Sequence, residues 1–152
     1  MPMSRELLLR RALWLAAGFN LLAAWLFAFP ASFAGHFAGL PAEVPLAYRA
    51  MTALFVLLFG GAYAWLAGQD VVDRAFVIFG VVGKTSAFVL IVVLWQVGAA
   101  GGTGVLIASG DMALAAVFLW CVRGGRGMAS TRDKATRLRS QVKAGSARIG
   151  DL

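Results

Sequence analysis

Residues 75–97 read AFVIFGVVGKTSAFVLIVVLWQV. This stretch decides the fold. It holds one charge, Lys84, and its only other polar side chains are Thr85, Ser86 and Gln96. A helix rises about 1.5 Å per residue, so the run exceeds the ~30 Å hydrocarbon core of a bilayer. A transmembrane strand would need only ~10 residues of alternating polarity, and nothing here alternates. The stretch is a transmembrane helix, and three companions flank it in the chain.

Those companions are Ala12–Phe29, Ala47–Ala67 and Gly104–Val122. Each is at least 18 residues long, within the range that spans a membrane. A signal peptide also has a basic start and an apolar run, but that run covers about 7–15 residues and the first span here is longer. Composition agrees with a lipid solvent. The set AVILMFWYC makes up 61% of the 152 residues and only 14% are charged. A soluble domain of this size exposes too much surface to hide so many apolar side chains. The fold class is therefore all-α: a polytopic membrane protein with an antiparallel four-helix bundle, because the second and third connections are short.

Two regions follow. Residues 1–123 form the membrane domain, and 124–152 form a basic tail. Arg5, Arg10 and Arg11 precede the first span. From Arg123 onward the chain has eight basic residues and two acids, Asp133 and Asp151. The first and third loops hold only Arg49 between them, so both termini are expected in the cytoplasm. The tail suits anionic lipid headgroups. It lacks the interleaved aromatic residues that stack nucleic-acid bases, so membrane lipids and not nucleic acid are its expected partners. Within it, 131–142 could form a short surface helix.

Of the 21 charged residues, all but Lys84 and Asp111 lie in flanks, loops or tail, or, for Arg49, at the edge of the second span. Lys84 is about 13 Å into its span and Asp111 about 16 Å. Each charge alone costs roughly 2.5–3.5 kcal/mol on insertion scales, and pairing them is the cheapest solution. Counted from the intervening hairpin, their offset reaches about 10 Å, so a water or ligand could instead bridge them. Asn20 is level with Lys84, on a ridge of small residues formed by Ala12, Ala16, Ala24 and Ala28. A second ridge runs Gly60, Ala64, Gly68. Such ridges let helices approach closely, and an Asn can then hydrogen-bond across. The expected site is a polar patch of Asn20, Lys84 and Asp111, with Tyr63, Thr85 and Ser86 as accessory donors and acceptors. One reading makes it an ion pair that fixes helix register. The other makes it a pocket for a small polar or anionic group, or a proton-coupled site.

The long first loop contains Pro30, Pro41 and Pro45. Phe29, Phe33, Phe37 and Leu40 recur near helical spacing, which predicts a short amphipathic helix at the interface. The sole histidine, His36, lies on it as an accessory candidate. With Glu43 it makes at most two ligands, so no metal site is assigned. The sole cysteine, Cys121, excludes an intrachain disulfide. Gly98-Ala-Ala-Gly-Gly-Thr-Gly104 is a turn and not a phosphate loop, since no Lys-Ser/Thr follows it. The five tryptophans read as interfacial anchors. No nucleophile–base pair stands out, so no catalytic residue is named, and no cofactor is identified.

Taken in order, Gly18-Phe-Asn20, Phe29-Pro30, Phe59-Gly60-Gly-Ala-Tyr63, Gln69-Asp70, Gly83-Lys84, Gly110-Asp111 and Phe118 resemble small four-helix bacterial membrane proteins near the DoxX-like families. The resemblance covers residues 12–122 and implies the four-span bundle. It also brings in a link to quinone-coupled redox chemistry, for which this chain has no metal, flavin or dithiol motif. The expected function is non-catalytic: binding or passing a small molecule, or serving as an accessory subunit, through the polar patch. A membrane-embedded enzyme or redox subunit acting on a lipid or quinone is the first alternative. A structural assembly partner, as a homo-oligomer or beside another membrane subunit, is the second.

Overall fold

The computed structural model describes residues 5–123. The basic tail and the helix expected at 131–142 lie outside them. Five helices follow in order: α1 (Arg5–Ala28), α2 (Phe33–Phe37), α3 (Leu46–Ala67), α4 (Arg74–Gln96) and α5 (Gly102–Arg123). Four of them are long and apolar enough to cross a membrane, which makes the chain a multi-pass membrane protein. No strand occurs among the described residues. The helices match the expected spans within two residues, except that α1 starts at Arg5 and not at Ala12. The extra turns combine four charged residues with Leu7, Leu8 and Leu9, and Leu9 is buried in the core. Glu6 and Arg10 pair at 3.0 Å across one turn, so the helix outlasts its apolar run.

Local chemistry sets the ends. Asp73 caps α4, its Oδ1 accepting from the backbone N–H of Ala75 at 2.8 Å. The far end of α4 closes through Gly98 at φ 75°, a left-handed conformation open to glycine. The Gly98 N–H then donates to the Trp95 carbonyl and the Ala99 N–H to the Leu94 carbonyl, which satisfies orphan carbonyls of the last turn. Gly39, also at φ 75°, ends α2 through the same pair of bonds. The amphipathic segment expected at 29–40 is thus a single turn and a half. Its aromatic residues Phe33 and Phe37 point outward, while Gly35 packs onto Pro30.

The bundle is dense at one end and hollow at the other. The end that carries the start of α1 and the finish of α5 is filled by Leu9, Leu13, Leu66, Val77, Phe118 and Cys121. Arg10 ties this end together. Its guanidinium donates to the carbonyls of Ala67 at 2.9 Å and Asp70 at 2.8 Å, and also to that of Gln69. The Ala67 carbonyl is one that α3 leaves unsatisfied where it stops, and the other two belong to the loop that follows. Arg5 lies over the Trp120 ring at 4.8 Å. The outer surface is apolar, and all five tryptophans are exposed on it.

The ridge of small residues on α1 faces inward as far as Ala24: Ala12, Ala16, Asn20 and Ala24 are buried, and Ala28 is half-buried. The ridge on α3 is shorter than expected. Gly60 packs, but Gly68 is exposed and ends the helix. Tyr63, Leu66 and Ala67 continue the buried face instead, at the mixed three- and four-residue steps that keep one helix face toward its neighbours.

Candidate functional site

Asn20, Lys84 and Asp111 meet near the middle of the bundle. The Lys84 ammonium donates to Asn20 Oδ1 at 3.3 Å and to Asp111 Oδ1 in a direct ion pair. Asn20 Nδ2 donates to the backbone carbonyl of Val56 at 3.3 Å. One amide thus joins α1 to α3 and α4, and one lysine joins α4 to α1 and α5. The Phe19 and Tyr63 rings flank the ammonium, with centroids 5.6 and 5.4 Å from Nζ. Aromatic faces offer a partial negative charge to a cation that lacks water. The Lys84 side chain is 5% exposed and Asp111 19%. The offset of up to 10 Å inferred from the hairpin is absorbed by the lysine stem and by unequal helix lengths.

Three glycines let this arrangement form. A Cβ on Gly60 would stand 3.1 Å from Asn20 Cβ and 3.3 Å from the Ala17 carbonyl oxygen. Its absence brings α1 close enough for Asn20 to reach Val56. A Cβ on Gly80 would stand 3.0 Å from the Tyr63 hydroxyl, and one on Gly110 would stand 3.1 Å from the Phe19 ring. Each glycine therefore seats a side chain of the patch against a neighbouring helix.

The patch is the polar end of a cavity of about 470 Å³. Pockets for small molecules run from about 300 to 1,000 Å³ and are mostly apolar with a few placed polar groups. All four long helices line it, and Ala38 and Leu40 of the first loop roof it. Apart from the patch, the walls are residues such as Phe27, Val56, Leu90, Ile91 and Ile107, with Thr52 as a lone hydroxyl.

The accessory candidates separate. Tyr63 is buried at the patch and lines the cavity. Ser86 is exposed and lies off the cavity wall, and Thr85 is also outside the lining. His36 is exposed on α2 and Glu43 is exposed in the loop. No group of three His, Cys, Asp or Glu residues that could hold a metal occurs among the described residues. Cys121 is buried in the dense end, away from the patch. Phe19 and the Val56 carbonyl are site groups that no single-residue reading identifies. For Phe19 the only signal is its place beside Asn20, and for the Val56 carbonyl there is none. No protein family, curated protein or solved structure matches the chain.

Proposed function

We propose that this is a small bacterial inner-membrane protein, with both termini in the cytoplasm, that binds a small amphiphilic molecule without transforming it. One observation carries the reading. The paired charges do not sit in a sealed core but form one end of a 470 Å³ cavity with otherwise apolar walls. An ion pair needed only for helix register would be packed on every side. A cavity polar at one end and apolar along its length fits a molecule with a small polar head and a hydrocarbon body. The orientation rests on the basic residues at both ends of the chain. The patch holds an acid and an amine that already neutralise each other, with no serine, threonine or cysteine nucleophile beside them among the described residues, which favours binding over catalysis.

Native mass spectrometry of the detergent-extracted protein tests this. The wild type should carry added mass that a Lys84→Met/Asp111→Leu double variant lacks, while both keep the same helicity. Equal added mass in both, or a bare wild type in every detergent used, would refute the binding role.

A further inference from the structure

Four seams between helices surround the cavity, and they differ. The α1–α3 seam is sealed where Gly60 meets Asn20, and the α5–α1 seam where Gly110 meets Phe19. The α4–α5 seam is held by the Lys84–Asp111 pair and by Ile91 against Gly104. The α3–α4 seam is closed only toward the dense end. There Tyr63 crosses Gly80, and the Phe59 and Phe79 rings stack 5.9 Å apart. Beyond Phe59 the seam parts. The cavity-lining residues that are exposed are Thr52, Phe59, Gly83, Ala87 and Leu90, and every one belongs to α3 or α4. Lining residues from α1, α5 and the loop are buried or half-buried. A Cβ on Gly83 would meet nothing within 4 Å. The cavity therefore opens sideways, at membrane depth, toward lipid.

The polar end also selects. Lys84 and Asp111 cancel in charge, so a head with net charge would stand uncompensated inside the membrane. An ammonium has three donors, and Lys84 gives two to Asn20 and Asp111. Asp111 receives Lys84 on Oδ1 and has a second carboxylate oxygen to offer. The group that completes both must accept one hydrogen bond and donate another. A hydroxyl does this, whereas a lone carbonyl can only accept.

We propose that the cavity takes a single-chain lipid alcohol, loaded sideways from the bilayer through the α3–α4 slot. Its hydroxyl sits between Lys84 and Asp111, and its chain follows the apolar walls. This rests on the binding reading above and adds the ligand class and the route.

The test uses the full chain in phosphatidylcholine vesicles with a fatty alcohol that carries a photoreactive diazirine in its chain. Light should label interior wall residues such as Ala23 and Ile107, and a fatty acid with the same chain should label them about tenfold less. Gly83→Trp places an indole in the slot. Loading and release of the alcohol should both slow about tenfold, as for a raised barrier. Gly61→Trp is the control, because Gly61 is exposed, lies off the cavity wall and also has nothing within 4 Å. If Gly83→Trp does not fold, Gly83→Leu serves as the smaller plug. Wild-type rates in the plugged variant, or faster release from it, overturn the slot and leave binding standing. Equal labelling by the acid overturns the choice of head. Absence of interior labelling in the wild type overturns the binding reading itself.

Discussion

Removing Lys84, Asp111 or both should give sharply non-additive losses of stability. Breaking a buried ion pair by deleting one member typically costs about 3–5 kcal/mol, because the other charge is left without a partner. Asp111 keeps 19% of its side chain exposed and is the less enclosed of the two, so Lys84→Met falls near the lower end, about 3 kcal/mol. Lys84 is only 5% exposed. In Asp111→Leu it retains Asn20 and the two rings but no anion, for a loss of about 4 kcal/mol. The double variant leaves no stranded charge. Its main loss is the hydrogen bond to Asn20 Oδ1, about 1 kcal/mol, since Asn20 still donates to Val56. The coupling is then about 6 kcal/mol, well above the few tenths expected of independent sites. Unfolding by sodium dodecyl sulfate in mixed micelles, followed by far-ultraviolet circular dichroism, measures all three variants against wild type. A double variant as unstable as the two single losses combined would show that the charges do not depend on each other. Single variants within about 0.5 kcal/mol of wild type would be equally damaging, because that is the ordinary scatter of surface substitutions.

Three further outcomes follow from other contacts. Arg10→Ala removes a charged donor from the carbonyls of Ala67, Gln69 and Asp70, and at 24% exposure should cost about 2 kcal/mol in the same unfolding assay. Arg10→Lys should recover less than half of that, since an ammonium lacks the planar fork, and full recovery would mean that charge alone matters. Gly60→Leu must push α1 from α3 and should cost about 1–3 kcal/mol, whereas the neighbouring Gly61→Leu enters open space and should be neutral; equal effects would contradict the close approach. At Gly35, even one methyl would stand 2.1 Å from the Pro30 carbonyl oxygen. Gly35→Ala should therefore displace the loop that roofs the cavity and speed hydrogen exchange of the Ala38 and Leu40 amides, and unchanged exchange would sink that role for the loop.

Much of the architecture was legible in one dimension. Runs such as 75–97 announce themselves because a bilayer demands length and apolarity, and both are local properties of the chain. Lys84 and Asp111 stood out by the same logic, since a charge inside such a run needs a reason. Asn20 was legible through its place among Ala12, Ala16 and Ala24. Other signals misled. Ser86 lies only two residues from Lys84, which turns it about 200° around the helix axis and off the cavity wall. Gly68 continued a four-residue row on paper but ends the helix in space.

The sequence by itself determined how many helices cross the membrane, roughly where each begins, and which residues are costly there. These follow from the free energy of moving each side chain and peptide group into hydrocarbon, which depends on local composition. Only the tertiary structure decided that Lys84 reaches Asp111 directly, that Phe19 and Tyr63 flank it, and that a cavity lies among the four long helices. Those features depend on the rotation and relative height of four separate helices. Glycines 60, 80 and 110 help to set both, by permitting close approach at three points and leaving the rest of the bundle apart.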